Sequence, residues 1–384
     1  MKNFTVVYEA KKIAIEDLRS NYGDLGIYAG PSKHHQYWAR DSFIASFGSC
    51  SLGDFEQVKR NLNTFSRHQR EDGHIPARIE ENYHVLSVVG INLRRKRFKV
   101  LHKQSQPWAT DVIDSNAWFI IASYNYVLIS GDRSWPRDNI QSLVKAGKWL
   151  SSKIDGKSLI REGFTANWLD CNFRRGNIAS SNILVCEAFF LLDKLLPQRV
   201  GKKYLALSSK LKDLINKYFW DGKKGYFIDY IDPRGYQHSE FASDGNLFSI
   251  WFGIADETQS RKILNFIDRN SLDDIPMPSI FPRLVWWDHL LNLFIFPAYK
   301  TKNSYTWIGC LLPLARMAIK DKRAFSNINR IAKTILKYKT CHEILASDGK
   351  PVNIIFYKSE KQIAWTAGLF VYVLDQIEKK RLKN

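Results

Sequence analysis

The stretch 164–170 places a carboxylate two residues after an indole, at the junction between two long segments of apolar periodicity. A carboxyl group held against an aromatic wall is partly desolvated, which disfavours its charged form and raises its pKa. Trp168 and Asp170 could therefore form a proton donor that works near neutral pH. The same residues fit a plainer role, in which Asp170 is solvated and caps the helix that begins near Ile178.

A second motif with chemical potential is Trp38-Ala-Arg-Asp41, which puts an adjacent Arg40 and Asp41 at the start of an apolar segment. In a pocket for a polyhydroxylated ring, a carboxylate accepts hydrogen bonds from neighbouring hydroxyls and an arginine donates to another oxygen. An indole packs on the apolar face of such a ring. The alternative is a surface ion pair in which Asp41 caps the following helix.

These motifs lie at the ends of segments that recur as pairs, in which an apolar helix is joined by a tight turn to a more polar one. After a helix near 9–20, the predicted pairs are 43–50 with 55–70, 116–129 with 139–153, 180–196 with 202–218, 247–254 with 258–269 and 307–319 with 324–338, and a last apolar helix covers 363–377. Helical hairpins at such a period indicate an all-α fold, either an α-solenoid or a closed toroid of helix pairs.

The links inside the pairs are short, whereas the links between pairs are long and carry most of the unusual residues. The long links are 23–42, 72–114, 154–178, 221–245, 271–305 and 339–361, with a short strand expected at 225–230. Alternation of short and long links puts the long ones on one rim, where they can build a site. No linker rich in Gly, Ser or Pro divides the chain, so we expect residues 1–384 to form a single domain.

The formal charge of +19 would suit a polyanion, but the basic residues are spread along the chain and are densest at 93–103 and 379–383. No nucleic-acid-binding motif is present, so we interpret these runs as solvated surface and expect no nucleic-acid partner. The five cysteines have no close pairing and predict reduced thiols. The first ten residues lack the apolar run of a secretory signal and no segment has the length of a membrane span, which predicts a cytoplasmic protein without a membrane partner.

Five motifs in a fixed order link the candidate residues to a known group. They are Trp38-Ala-Arg-Asp-Ser42, Gln69-Arg-Glu-Asp-Gly-His-Ile-Pro76, Asp114-Ser-Asn-Ala-Trp-Phe119, Asn167-Trp-Leu-Asp170, and His342-Glu343 with Asp348-Gly349 before Ala364-Trp-Thr-Ala-Gly368. The ordered set resembles the (α/α)6-barrel inverting glycoside hydrolases. This group includes glucoamylases, trehalases, relatives of processing α-glucosidase and the amylo-1,6-glucosidase domain of glycogen debranching enzymes. The resemblance covers nearly the whole chain and implies an (α/α)6 toroid of six inner and six outer helices.

Carried over residue by residue, the resemblance implies Asp170 as general acid and Glu343 as general base. Arg40 and Asp41 would hold the sugar whose bond is cleaved, between walls formed by Trp38 and Trp168. Inverting hydrolysis needs this division of labour, because one carboxyl protonates the leaving oxygen while the other activates water on the opposite face of the ring.

Other residues extend this expected site. Asp72, Asp114, Trp307 and Trp365 complete the predicted substrate-binding set, and Asp111 is a further candidate for binding hydroxyls. Glu360, in Lys358-Ser-Glu-Lys361, precedes the terminal Trp helix and is an alternative base. The positions of His34, His35 and His74 are too scattered to predict a metal site, so we expect neither a metal nor a cofactor. Trp286 and Trp287 fit either a leaving-group subsite or packing of the rim.

Three functions are compatible with these residues. The leading hypothesis is an exo-acting inverting hydrolase of α-linked glucosides or short α-glucans, similar to amylo-1,6-glucosidase or glucoamylase. The second is a disaccharide phosphorylase on the same toroid, which the net positive charge favours and Glu343 opposes, since phosphate would replace the water. The third is a non-catalytic carbohydrate-binding protein, which we would expect to lack one of the two carboxylates. Each predicts a carbohydrate ligand and leaves the oligomeric state open.

Overall fold

Six helices that are apolar on nearly every face form the inner ring of the fold. In the computed structural model, which describes residues 2–88, 91, 93–104, 108–169, 174–275, 277–282, 304–354 and 357–381, these helices are buried along most of their length. A helix that is apolar all round has to be surrounded by protein. Numbered along the chain, the inner helices are α2 (Ala39–Ser51), α5 (Asp114–Ser130), α8 (Ala179–Leu195), α10 (Ser243–Trp251), α12 (Thr306–Ala318) and α14 (Ala364–Arg381).

Six amphipathic helices surround this ring. In the outer helix that follows α2, the buried apolar side chains are Val58, Leu62 and Phe65, spaced so that they share one face. The outer helices are α1 (Lys2–Arg19), α3 (Phe55–Arg67), α7 (Ile140–Ser151), α9 (Gln198–Phe219), α11 (Glu257–Arg269) and α13 (Ala324–Tyr338), and two short helices, α4 (His84–Val88) and α6 (Trp135–Asp138), lie in the connections.

The inner ring is closed. Each inner helix packs on the next along the chain, and α14 packs on α2, while α1 packs against α13 and α14 on the outside. The contact between α2 and α14 depends on two glycines, because a Cβ on Gly48 would lie 2.6 Å from the Cα of Gly368. Larger residues at these positions would push the first and last hairpins apart. The predicted toroid of six inner and six outer helices is therefore confirmed.

Several predicted helix starts were too late, including those of α2 and α9, which begin four residues earlier, at Ala39 and Gln198. Helix α1 begins at Lys2 and not near residue 9, because Val7, Ala10 and Ala14 continue one buried face toward the N-terminus. Helix α10 begins at Ser243 and not at Leu247, and the earlier start brings Asp244 into its first turn. The difference in α10 matters for the site, because it adds a carboxylate at the end of an inner helix.

The long connections between hairpins carry short antiparallel strands. The predicted strand at 225–230 is observed as β8. The strands are β1 (Tyr22–Gly23), β2 (Gly26–Ile27), β3 (Tyr37–Trp38), β4 (Arg78–Asn82), β5 (Arg94–Leu101), β6 (Asn177–Ile178), β7 (Trp220–Asp221), β8 (Tyr226–Ile231), β9 (Gln237–Ala242), β10 (Ile280–Phe281), β11 (Ser304–Tyr305), β12 (Ile344–Leu345), β13 (Asn353–Ile354) and β14 (Tyr357–Lys358). The larger sheets have the orders β10-β9-β8-β6 and β3-β4-β5.

The sheet β3-β4-β5 connects a candidate site residue to the basic run of the sequence. Trp38 on β3 pairs with Arg78 on β4, and Arg78 pairs with Leu101 on β5. The basic segment therefore forms the edge strand of this sheet, with most of its charged side chains exposed. Charged residues on an edge strand discourage pairing with another chain.

The described residues show the state of four cysteines and also bear on membrane spans and metal sites. Cys50, Cys186, Cys310 and Cys341 are buried free thiols, whereas Cys171 lies outside the described residues. None of the helices in the described part of the chain combines the length and apolar character that a membrane span requires. Nor do the described residues contain a group of three or more His, Cys, Asp or Glu side chains placed to hold a metal ion.

Candidate active site

The N-terminal ends of the inner helices meet at the rim that carries the long connections. Asp114 is the first residue of α5, and Arg40, Asp244, Trp307 and Trp365 are each the second residue of their inner helix. Helix N-termini carry partial positive charge, which stabilises carboxylates in the first turn. The fold therefore collects both acidic and aromatic side chains at one end of the barrel.

Arg40 is fixed by a bidentate ion pair with Asp114. Its Nε lies 2.6 Å and its Nη2 3.1 Å from the two Asp114 carboxylate oxygens, and both side chains are buried. Two parallel charge-assisted bonds define the orientation of the guanidinium plane as well as its position. Asp114 thus acts on the predicted site by orienting Arg40.

Asp41, next to Arg40, is buried near two other charged groups of the site. Burial raises the pKa of its carboxyl group to about 6, although the positive charges of Arg40 and His34 partly offset the effect. The negative charge of Glu343 also reaches Asp41 and opposes its ionisation. Asp41 and Glu343, which are distant in the sequence, therefore belong to one electrostatic environment.

Four aromatic rings form a cluster at the N-termini of α12 and α14. The ring of Trp168 meets Tyr305 and Trp307 edge-on at centroid distances of 5.4 and 5.2 Å. Trp307 and Trp365 are stacked at 5.3 Å. The indole of Trp168 also donates a 2.6 Å hydrogen bond to Asp244. Edge-to-face and stacked packing of this kind gives a rigid apolar surface.

Three indoles at this end of the barrel have buried N–H groups without a partner. Among the described residues, none accepts a hydrogen bond from Nε1 of Trp38, Trp307 or Trp365. A buried donor without an acceptor costs about 1–3 kcal/mol, so such groups are rare unless they serve a ligand or water. Two of these donors, on Trp307 and Trp365, belong to the aromatic cluster and would suit a ligand that has oxygen acceptors.

Glu343 lies almost fully buried, with 4% of its side chain exposed, between the imidazole of His34 and the hydroxyl of Tyr357. Its Oε1 is 3.3 Å from Nε2 of His34, and its Oε2 accepts a hydrogen bond from the hydroxyl of Tyr357. The backbone carbonyl of Glu343 accepts a 3.0 Å bond from the amide of Thr306, the first residue of α12. This contact places Glu343 beside the helix that carries Trp307.

The carboxyl group of Glu343 is ionised in spite of its burial. Burial opposes the charge, but the charge of His34, 3.3 Å away, the charge of Lys33 and the Tyr357 hydroxyl together lower the pKa of Glu343 to about 2. Burial likewise opposes the charge of His34, but Glu343 and Glu360 outweigh it and raise the imidazole pKa to about 9. Glu343 and His34 therefore form an ion pair across the neutral pH range.

Glu360 is also buried, but its partners are backbone amides. Its two carboxylate oxygens accept bonds of 2.6 Å from the Ser32 amide and 3.1 Å from the His34 amide. Burial raises the pKa of Glu360, partly offset by the charge of His34. These contacts make Glu360 the anchor of the loop before β3.

Asp170 lies outside the described residues, so its predicted role stays a prediction, and the same holds for Trp286 and Trp287. The described residues before and after Asp170 are held by a buried network. Arg174 donates 2.5 Å and 3.0 Å bonds to Asp229 and Asn167, and Asn167 also donates to Glu162. The network fixes the described ends of the segment that carries Asp170.

Comparison with solved structures identifies this architecture. The chain is similar to a rhamnosidase from Klebsiella oxytoca with rhamnose bound, at 14% identity and a TM-score of 0.72, covering 97% of this chain and 64% of that one. It is similar over 94% of its length to a mannosylglycerate hydrolase from Thermus thermophilus in complex with Tris and D-glycerate, covering 99% of that chain at 12% identity and a TM-score of 0.68. The chain has the (α/α)6 glycosidase fold. A third structure with this fold, a wild-type glycosidase, covers 97% of both chains at 12% identity and a TM-score of 0.70.

The sequence comparisons agree with the (α/α)6 glycosidase fold. The trehalase family profile matches residues 179–275, which include α8, α9, α10 and α11. No curated protein sequence matches the chain. The chain spans 64% of the Klebsiella rhamnosidase and 34% of a rhamnosidase of Bacillus sp. GL1, so those proteins contain further regions. The resemblance to (α/α)6 glycoside hydrolases that the motifs predicted is confirmed.

Two further candidate residues, Asp72 and Asp111, share one arginine as their partner. Asp72 forms a 2.7 Å ion pair with Arg70 and its side chain is 49% exposed, while Asp111 pairs with the same arginine at 2.6 Å. His74 is stacked on Trp149 at 4.0 Å. These contacts order the rim by pairing the carboxylates of Asp72 and Asp111 with one guanidinium group, and the role of Asp72 in binding a substrate stays a prediction.

Two residues that contact the site were missed by sequence reasoning. Tyr357 gives no local signal, because its contact with Glu343 forms only when β14 folds back over that residue. Asp244 did have a signal, since it follows Ser243 at the start of an apolar helix, as Asp114 and Asp41 open theirs. The late placement of the α10 start concealed it.

Proposed function

We propose that this chain is an inverting glycoside hydrolase that removes a terminal sugar from α-linked glucosides or short α-glucans, similar to amylo-1,6-glucosidase or glucoamylase. The observation that carries the proposal is the buried Glu343 carboxylate, which His34 and Tyr357 keep ionised close to an aromatic cluster with unpartnered indole donors. Residues 1–384 would act together as one catalytic domain. The buried free thiols favour a cytoplasmic location.

The proposed reaction uses one carboxyl group on each side of the bond. Asp170 gives its proton to the glycosidic oxygen as the bond from that oxygen to the anomeric carbon breaks. On the other face of the sugar, Glu343 takes a proton from water as the water oxygen bonds to the same carbon. The configuration at the anomeric carbon is thereby inverted, and carboxyl groups about 6.5–9.5 Å apart leave room for the water.

The sugar would be held by the groups at the N-termini of the inner helices. The Asp41 carboxylate accepts hydrogen bonds from hydroxyl groups, and Arg40, oriented by Asp114, donates to a further oxygen. The unpartnered N–H groups of Trp38, Trp307 and Trp365 are additional donors, and Trp168 supplies an apolar wall. A neutral polyhydroxylated ring is the class of ligand that satisfies carboxylate, guanidinium and indole groups together.

Two features distinguish hydrolysis from its alternatives. In a phosphorylase, phosphate would take the place of water, and the ionised Glu343 carboxylate would repel it at that position. A purely carbohydrate-binding protein has no need for a carboxylate whose charge is maintained by a neighbouring histidine. We therefore favour hydrolysis over both.

A substrate panel tests the proposal. It contains α-glucosides with 1,4 and 1,6 linkages and short α-glucans. It also contains α-rhamnosides and mannosylglycerate, because the compared structures are a rhamnosidase and a mannosylglycerate hydrolase. We expect release of glucose from an α-glucoside, with the β anomer formed first when the reaction is followed by proton NMR.

Each of the other possible results of the panel would lead to a different conclusion. Initial release of the α anomer would exclude inversion. Turnover that requires inorganic phosphate and yields a sugar phosphate would replace hydrolysis by phosphorolysis. Cleavage of rhamnosides or mannosylglycerate alone would support glycoside hydrolysis but assign a different sugar as the substrate. Absence of cleavage on the whole panel would reject the proposed substrates.

A further inference from the structure

The loop before β3 brings one histidine into the centre of a buried charge cluster. Nε2 of His34 lies 3.3 Å from Oε1 of Glu343 and 3.9 Å from Oε2 of Glu360, and 25% of its side chain is exposed. The backbone amide of His34 donates to Glu360, so Glu360 holds the backbone while the ring reaches Glu343. This arrangement fixes the direction of the imidazole.

Neighbouring contacts hold the same loop against residues 357 and 358, on strand β14. Lys33 donates to the backbone carbonyl of Lys358, and its ammonium group lies 3.7 Å from the ring centroid of Tyr357. Tyr357 in turn donates to Glu343. One carboxylate oxygen of Glu343 therefore faces an imidazolium, and the other accepts a hydrogen bond from a phenol whose ring packs against a lysine.

We propose that His34 is a positioning residue that keeps the base Glu343 both ionised and correctly oriented, an inference that rests on the proposed hydrolysis. Its ring nitrogen fixes one oxygen of the carboxylate, and Tyr357 fixes the other. Orientation of this kind matters because a displacement of about 1 Å in a catalytic group can lower the rate a hundredfold. The sequence had suggested His34 only as an improbable metal ligand.

The charge of His34 has a consequence for pH dependence. The charged or titratable groups that act on its ring are Lys33, Asp41, His84, Glu343 and Glu360. Burial alone favours the neutral form of Glu343, and His34 is the largest of the groups that oppose this effect. Without the imidazolium, the pKa of Glu343 rises, and the base becomes protonated at a higher pH than in the wild type.

A double-mutant cycle separates this role from a general loosening of the loop. At about pH 8, where Asp41 with its pKa of about 6 stays ionised, we expect His34→Ala to lower kcat/KM by about tenfold to a hundredfold. In a Glu343→Gln background the same change should have little further effect, because the group on which His34 acts is gone. An equal loss in both backgrounds would overturn the proposal.

Two further variants test whether the charge of His34 is responsible for the effect and whether the effect is specific to this histidine. His34→Gln keeps a hydrogen-bond donor near the carboxylate but removes the charge, so we expect it to move the acid limb of the kcat/KM profile to higher pH in the Asp41→Asn background, where Asp41 no longer titrates. His35→Asn is the matched control, because His35 belongs to the same loop and packs on Tyr28, 4.0 Å away, without an ion pair to Glu343. An acid limb that moves equally in the His35 and His34 variants would contradict the assignment.

NMR titration of the His34 ring supplies a readout that needs no substrate. We expect the imidazole of the wild type to titrate near its raised pKa of about 9 and to titrate at clearly lower pH in Glu343→Gln. An unchanged titration would overturn the ion pair on which the inference depends. If the titration shifts as expected but the wild type cleaves no glycoside, the proposed function fails while the pairing of His34 with Glu343 stands.

Discussion

Glu343 and Glu360 are two buried glutamates on the same connection, and the amide of Glu343 donates a 2.9 Å bond to the carbonyl of Glu360. Their nearest partners nevertheless differ. The carboxylate of Glu343 faces the imidazole of His34 at 3.3 Å and the hydroxyl of Tyr357, whereas that of Glu360 accepts hydrogen bonds from the amides of Ser32 and His34 and lies 3.9 Å from the same imidazole. The pKa is lowered to about 2 in Glu343 and raised in Glu360.

The difference shows that the kind of partner decides the role of a buried carboxyl group. Backbone amides are fixed by the fold, so a carboxylate that accepts from them orders a loop. Side-chain partners such as an imidazolium can set the charge of a carboxylate as well as its direction. By this criterion Glu343 stays ionised, as a proton acceptor must be, and Glu360 anchors the loop, so we propose Glu343 over the alternative base.

The largest expected effect is the loss of the base. Glu343→Gln removes the proton acceptor for the attacking water and should lower kcat by about a hundredfold or more, the size typical of a general base. Steady-state kinetics on the best substrate of the panel measures this loss, and circular dichroism checks that the fold is intact. An active Glu343→Gln beside an inactive Glu360→Gln would reverse the comparison and move the base to Glu360.

Asp170→Asn extends the comparison to the proposed acid. Loss of proton donation should also lower kcat by about a hundredfold or more on natural substrates. A glycosyl fluoride or nitrophenyl glycoside needs little protonation of its leaving group, so it should restore much of the activity of Asp170→Asn. It should restore none to Glu343→Gln, whose water still lacks a base. Equal rescue of both variants would show that the two roles are not divided in this way.

Substitution of Asp41 should have a smaller effect on kcat/KM, and this effect should depend on pH. Its ionised form accepts hydrogen bonds from the sugar, and since its pKa is raised to about 6, kcat/KM should fall as the pH drops below that value. Glu343, with a pKa of about 2, stays ionised over this range and cannot cause the fall. Asp41→Asn should lose about tenfold or more in kcat/KM and should remove this acid limb.

The pH profile of Asp41→Asn needs a control at a carboxylate outside the predicted site. Asp213 is suitable, because it is exposed on the outer helix α9. Asp213→Asn should keep both the rate and the acid limb of the wild type. An acid limb that survives in Asp41→Asn would assign the titration to a different group.

The smallest effect on catalysis is expected for Glu360→Gln. Its amide presents an N–H₂ group to one of the two backbone donors, and the clash should lower the free energy of unfolding by about 1–3 kcal/mol. The loss of kcat/KM should stay below about tenfold, since the base and acid are unchanged. Urea unfolding and kinetics on the same preparation test both parts, and unchanged stability would argue against an anchoring role.

The sequence by itself determined which segments form inner and outer helices and which end of the hairpins carries the candidate residues. Apolar residues on every face of a segment require burial, so segments such as α5 and α8 were recognisable as inner helices, and the one-sided pattern of α3 identified an outer helix. Because short and long connections alternate, the motifs that contain Arg40 and Asp114 had to share a rim. These conclusions depend only on local periodicity.

Tertiary structure decided which carboxylates work together and what charge they carry. Glu360 meets Ser32 at a separation of 328 positions in the chain, and Glu343 meets His34 by the same closure of the last hairpin on the first. Burial and partners set the pKa of a carboxyl group, and neither is encoded in its immediate neighbours. The sequence could therefore name both glutamates as candidates, but only the folded chain surrounds one with side chains that hold its charge and the other with backbone amides.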